Sequence, residues 1–294
     1  MSTAPGGRSA RWFLPIIVLI YLVLGVLYAA YTPAWQAPDE PAHYNYIRYL
    51  AEQHRFPILK PGDFPAAYLE EIKAARFPPE MSIEPIRYEF HQPPLYYLLA
   101  VPLYRLFDGS LLPLRLLSVL LGGLLLVVVF WTVEALVPHR PLLTLGSTAF
   151  VAFLPMHLAM TASVNNDILS ELLLAVVLLL TIRYLRPEEV HRGPGAELRL
   201  LVLLGVTTGL GLVTKSSLYI LPALVLAAIA ARKLWLEDRE TTLAEGLKSG
   251  ALYLLPSLAL ALPWWLRNMA IYGGFDVLGL GRHNQVVVGQ LRTA

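Results

Sequence analysis

Four short stretches of this 294-residue chain carry side chains that can do chemistry. The first is Pro38-Asp39-Glu40-Pro41-Ala42-His43, directly after an apolar run. Two adjacent carboxylates beside a histidine can supply a general base or ligands for a hard divalent cation. A helix starting near residue 40 would set Asp39 and His43 one turn apart on one face. The same residues also suit a plain helix start, with Asp39 as cap and Glu40 favouring the positive end. The second stretch is Asn165-Asn166-Asp167, with Glu171 one turn further along Asp167's face. Acidic residues inside a span are costly and point to function, with a helix cap as the plainer alternative for Asp167. The third, Thr214-Lys215-Ser216-Ser217, divides two apolar runs that reach only ~23 Å each. Their junction should dip into the outer leaflet, where Lys215 either meets an anionic phosphate or snorkels. The fourth, Trp264-Trp265-Leu266-Arg267-Asn268, reads as an aromatic interface anchor with one arginine. Glu134 and His157 also fall in apolar runs; Glu134 can reach the interface, and His157 reads as a packed polar residue.

Several chemistries are excluded. No GxSxG, P-loop, dinucleotide fingerprint or HExxH motif occurs, which removes hydrolase, ATPase and zincin readings. The absence of cysteine removes disulfides, thiolate metal sites and cysteine nucleophiles.

The elements that must position these residues are membrane helices. Hydrophobic residues make up 56% of the chain and charged residues 15%, with a mean hydropathy of +0.56. A soluble domain carries roughly 25% charge. A net charge of +2 with no basic, aromatic-interleaved stripe gives no support for nucleic-acid binding. Residues 1–11 form a polar tail, and 12–31 is the first apolar run. It is longer than a usual signal-peptide core and is followed by a poor cleavage site, so it reads as a retained anchor. Residues 32–111 hold ten of the 21 acidic residues and are too long for a plain connection. Helical periodicity is visible within them at 42–54 and 65–76. Further apolar runs follow at 112–137, 141–164, 168–182, 200–214, 216–231 and 249–266, before a polar tail at 267–294. In one of these runs, Gly205-Val206-Thr207-Thr208-Gly209 is a pattern that allows close helix packing.

The stretch from His91 to Arg105 decides the topology. It is apolar but short, is interrupted by Pro102 and ends in arginine. Laid in the interface, it leaves Arg8, Arg11, His139, Arg140, the arginines of 183–199 and the basic residues of 232–248 on one side, as the positive-inside rule requires. Tyr96, Tyr97 and Tyr104 would suit an interface belt. The expectation is therefore an all-α protein of the cytoplasmic membrane with seven spans, its N-terminus inside. That arrangement brings Asp39, Glu40, His91, Asp167, Lys215 and Arg267 together at the outer face.

Together these elements resemble the GT-C membrane glycosyltransferases that use polyprenyl-phosphate sugars. Asp39-Glu40 resembles the acidic pair of that superfamily's first external loop. His91-Gln92-Pro93-Pro94-Leu95-Tyr96-Tyr97 resembles the His-x-Pro-Pro-Leu segment of bacterial family-39-like and aminoarabinose transferases. Asn166-Asp167 matches the acidic position of the second external loop, and Leu212-Val213-Thr214-Lys215 a lysine-containing stretch of many bacterial members. In protein O-mannosyltransferases histidine follows the acidic pair more closely than His43 does here. The resemblance implies inverting sugar transfer at the outer face. By carry-over, Asp39 is a catalytic base or a metal- or acceptor-orienting carboxylate, with Glu40 beside it and Asp167 assisting. Lys215 and Arg267 would hold the lipid phosphate, and His91 would shape the site. A divalent cation, if bound, would draw on Asp39, Glu40, His43 and Asp167. The expected partners are a polyprenyl-phosphate-linked sugar, membrane lipids and an acceptor of unread identity. Members usually continue beyond seven spans. This chain, ending at Ala294, is read as truncated, partner-dependent or minimal. The rival classes are a transporter or lipid-binding protein, which internal repeats and midplane charges would mark, and a non-catalytic assembly subunit.

Overall fold

The computed structural model describes residues 6–190, 193–236 and 243–289, whose regular elements are all helices, with no strand. The first long helix, α1 (Gly6–Tyr31), begins inside the expected polar tail. The following segment folds into α2 (Glu40–Gln53), α3 (Ala66–Ala74), a 3-10 turn at Tyr88–His91 and α4 (Leu95–Leu106). Then come α5 (Leu111–Leu136), α6 (Pro141–Phe153), α7 (Pro155–Thr161), α8 (Asp167–Leu185), the short α9 (Pro187–Val190) and α10 (Ala196–Leu212). A 3-10 turn at Ser216–Ile220 leads into α11 (Leu221–Ala231), followed by α12 (Leu243–Tyr272) and α13 (Leu280–Val286).

Five stretches are long and apolar enough to cross a bilayer: Trp12–Tyr31, Leu111–Leu136, Asp167–Leu185, Ser216–Leu234 and Leu243–Tyr272. The expected span at 141–164 is not one straight helix. It breaks between α6 and α7 with a bend of 61°, because Pro155 has no N–H to donate and forces Leu154 into extended backbone, ψ 114°. Counted as one span, the pair makes six. The remaining expected run, 200–214, is α10, whose 17 residues reach about 26 Å, the lower limit for a crossing helix. Arg192 and Arg239, two of the loop arginines behind the expected orientation, lie outside the described residues.

Lipid gives helices no hydrophobic reason to pair, so close packing must hold the spans together. Gly205 and Gly209 supply it: a Cβ on Gly205 would stand 2.2 Å from the Tyr253 carbonyl, and one on Gly209 2.9 Å from that of Ser257. These two small positions let α10 lie directly against α12. Gly122 of α5 does the same for the ring of Tyr21 on α1.

The 33–111 segment packs more like a soluble domain. Ala42 of α2, Leu69 and Ile72 of α3, Ile86 and Tyr88 form a separate buried cluster. Each large side chain removed from water there contributes about 1.5–3 kcal/mol. Helix α4, at 12 residues, spans about 18 Å and cannot cross a bilayer. Two of its expected belt tyrosines are corrected by the structure. Tyr96 and Tyr97 are fully buried because their hydroxyls find protein partners, Ser118 for Tyr96 and His43 for Tyr97. The C-terminal segment is likewise not a plain polar tail, since α12 runs to Tyr272 and α13 follows it.

Candidate functional site

The acidic pair splits into two environments within one residue. Glu40 is 0% exposed and Arg115, the one arginine of α5, is 3% exposed. Arg115 Nε donates to Glu40 Oε1 at 2.8 Å and Nη2 to Oε2 at 2.6 Å. Its remaining donors reach the carbonyls of Ala29, Thr32 and Pro33, which satisfies the carbonyl end of α1. Glu40 also accepts from the backbone N–H groups of Val164 and Trp35, each at 3.1 Å. Every oxygen of this carboxylate is engaged.

Asp39 is exposed. Its backbone is left-handed, φ 59°, and its side chain makes no capping hydrogen bond. It is therefore not the plain helix cap that its position suggested. Instead Oδ1 accepts a 2.6 Å hydrogen bond from the Tyr88 hydroxyl. Both residues line a cavity of about 270 Å3, with Trp35, Gln36, Lys73 and Phe77 on its other walls.

His43 stands one turn into α2, buried, with Nδ1 2.8 Å from the Tyr97 hydroxyl. Burial lowers its pKa, against the fields of Glu89, Asp39 and Asp167, which raise it, and with that of Lys215, which lowers it further. Asp39, Asp167 and Lys215, from three separate stretches of chain, are thus among the charges that act on His43. The Tyr88–His91 turn adds two more members. Glu89 is 8% exposed with Oε2 unpartnered. Burial pushes its carboxyl up, but His43, His91, a hydrogen bond from Gln92 and His283 together hold it below the usual range. His91 is buried, with Nδ1 3.1 Å from the Tyr88 carbonyl oxygen and its ring 4.5 Å from that of His283 on α13. Burial lowers its pKa as well.

Lys215 is extended, φ −155°, ahead of the Ser216–Ile220 turn. The chain before it is held at two points: Leu95 N–H donates to the Val213 carbonyl at 2.9 Å, and Asn166 Nδ2 to that of Thr214 at 3.1 Å. Lys215 Nζ pairs with Asp167 Oδ1. This pair is open, the two side chains being 22% and 42% exposed. Asp167 is itself fixed through its N–H, which donates to Asn165 Oδ1. Glu171 does not join it; that carboxylate pairs with His157 across α7 and α8 at 3.1 Å. Glu134 accepts from Thr144 at 3.2 Å and plays no part here.

Arg267 has partners different from those of Lys215. Its guanidinium stacks 4.4 Å over the ring of buried Trp264 and donates to the Pro57 carbonyl and Asn268. It borders an apolar groove of about 250 Å3 lined by Phe56, Leu95, Leu98, Val213, Leu260 and Trp264. Val213 of this groove is two residues before Lys215.

The four candidate metal ligands do not assemble into a ligand set. Among the described residues no three His, Asp or Glu side chains converge as a metal site would require. Glu40 is taken by Arg115 and one nitrogen of His43 by Tyr97. Three residues of the neighbourhood escape sequence reasoning: Arg115, Glu89 and His283. Arg115 had a signal, because an ionisable residue inside a span calls for a named partner. Glu89 and His283 sit in unremarkable polar segments and had none.

The family model for dolichyl-phosphate-mannose-protein mannosyltransferase matches residues 91–265, more than half of the chain. No curated protein and no solved structure matches it. The matched region opens at His91 and includes Asp167 and Lys215, while Asp39, Glu40 and Arg267 lie outside it. By that match, and with an all-helical, membrane-spanning fold, the chain belongs to the dolichyl-phosphate-mannose-protein mannosyltransferase family.

Proposed function

We propose that the protein transfers a sugar from a polyprenyl-phosphate donor to an acceptor hydroxyl at the outer face of the cytoplasmic membrane, with inversion. The family points to polyprenyl-phosphate sugars as donors. The observation that carries the residue assignment is the contrast within the acidic pair: Glu40 is saturated by Arg115, whereas the exposed Asp39 beside it lines a cavity. An exposed carboxylate for the acceptor proton and a half-exposed cation for the phosphate are what a displacement at a glycosyl phosphate needs. Asp39 takes the proton of the acceptor hydroxyl. The acceptor oxygen bonds to the anomeric carbon as the carbon–oxygen bond to phosphate breaks on the opposite face. The charge that develops on the leaving phosphate falls to Lys215, with Arg267 at the groove.

Glu40 takes a different part in this scheme from the one its position beside Asp39 suggested. With both oxygens engaged it is a positioning residue, holding the turn that carries Asp39. Asp167 orients the Lys215 ammonium and leaves part of its surface open to the donor. The 250 Å3 groove beside Arg267 is apolar enough for the first isoprene units, and its walls come from α4 and α12 together with Phe56 and Val213. The outer-face placement follows from the loop charges and requires seven crossings, with α10 as one of them.

The test is extraction of lipid from the purified protein followed by mass spectrometry, with a transfer assay on the lipid found. A glycosylated polyprenyl phosphate that supports transfer is the expected result. Recovery of bulk phospholipid alone, from protein that transfers nothing from added polyprenyl-phosphate sugars, would contradict it. A cysteine at Ser216 in this cysteine-free chain should react with an impermeant thiol reagent added from outside; protection there would overturn the outer-face placement.

A further inference from the structure

We infer that the cavity between Trp35 and Phe77 is the acceptor subsite, and that it takes a saccharide ring rather than a peptide side chain. The inference rests on the reading of Asp39 as the base, because Asp39 is the residue through which the cavity meets the chemistry. The cavity measures about 270 Å3, just below the ~300–1,000 Å3 of sites for drug-sized ligands. That is room for a single ring, not for a long chain segment.

Its walls are mixed in the way a sugar ring requires. A pyranose has apolar C–H faces and a rim of hydroxyls. Trp35, Phe77 and Tyr88 offer aromatic surface to a face, while Asp39, Gln36 and Lys73 offer a carboxylate, an amide and an ammonium to the rim. Lys73 already pairs at the surface with Glu70, at 3.3 Å, so it lies at the mouth rather than in the depth.

The walls are also built to stay where they are. Trp35, Asp39 and Phe77 are all left-handed, with φ of 67°, 59° and 54°, conformations that non-glycine residues hold only where the surroundings over-determine them. Here the surroundings do. The Trp35 N–H is fixed on Glu40 Oε2, which Arg115 fixes in turn. The Phe77 N–H is bound to the Ile72 carbonyl. Gln36 Nε2 crosses to the Arg76 carbonyl at 3.1 Å, tying the α2 wall to the α3 wall. The buried clamp therefore has a purpose on the surface: it preorganises one side of a pocket that Asp39 lines.

The test uses Lys73→Cys in the cysteine-free full chain, reconstituted in nanodiscs so that no sugar-headed detergent is present. The rate of maleimide labelling is followed with methyl α-mannopyranoside, methyl β-glucopyranoside or a threonine-containing hexapeptide. The proposal expects at least one glycoside to slow labelling, about fourfold at roughly three times its Kd. It expects the protection to disappear with Phe77→Ala, and with Gln36→Ala, which leaves the loop core untouched. Unchanged labelling with both glycosides, or slowing by the peptide alone, overturns it. Labelling needs neither donor nor turnover, so the two readings fail separately. Protection together with an Asp39→Asn variant that transfers normally would remove the base and keep the subsite. No protection together with an inactive Asp39→Asn would do the opposite.

Discussion

Two ion pairs in this protein, each joining one helix to another segment, stand in opposite relation to their surroundings. Arg115–Glu40 is closed: the carboxylate takes the guanidinium fork and two backbone N–H groups, and the guanidinium also binds three carbonyls. Lys215–Asp167 is a single contact between half-exposed side chains on a turn whose backbone is held from both sides. Residue type does not separate the two, since both pair an acid with a base near a helix start. Saturation does. A charge pair with no valence left over can only hold structure, whereas one with open surface can exchange a partner for a ligand without an uncompensated charge being left in the protein.

The comparison breaks most sharply at Arg115. Arg115→Met would leave Glu40 buried without its cation, a loss of about 3–5 kcal/mol for a broken buried pair. Thermal unfolding of the purified protein should show it as a large drop, and a melting temperature equal to the wild type's would show that the clamp holds nothing. At the open pair, Lys215→Met should weaken donor binding by ~1–3 kcal/mol, the range for a charge-assisted hydrogen bond. Its effect on stability should stay within about 1 kcal/mol, as for exposed pairs. Donor affinity unchanged, with stability lost instead, would make Lys215 a structural anchor.

The smallest expected effect is one of pH. Burial holds the folded-state pKa of His43 below its ordinary value, with Glu89, Asp39, Lys215 and Asp167 as its charged neighbours. The unfolded chain then binds the proton more readily, so stability is full above about 6.5 and declines as pH falls below it. Glu89, whose pKa is lowered in the fold, adds a loss in the same direction at lower pH. Melting curves between neutral and mildly acidic pH should show the decline, and His43→Gln should flatten its upper part. A variant with an undiminished slope would place the titration elsewhere.

The fold class was readable from hydropathy because span length is dictated by the bilayer, and Gly205 and Gly209 from their spacing. The site was readable only as a set of outer-face candidates. Asp39 and Glu40 are neighbours in sequence with the same charge, and their separation into an exposed and a saturated carboxylate depends on Arg115, which is 75 residues from Glu40. Tyr96 and Tyr97 looked like belt residues because their partners, Ser118 and His43, are invisible to local pattern. The break at Pro155 was written in the sequence, but the bend it produces depends on how α6 and α7 pack.

The central claim is that Asp39, and not its saturated neighbour, removes the acceptor proton. Asp39→Asn tests it most directly. Asparagine tolerates left-handed backbone, so the φ of 59° at this position survives the change while the charge does not. The measurement is sugar transfer by the purified variant at saturating polyprenyl-phosphate sugar, alongside its donor affinity. The account predicts transfer lower by ~10²-fold or more with donor affinity unaltered. Undiminished transfer would contradict it and leave Asp39 as nothing more than the start of a helix.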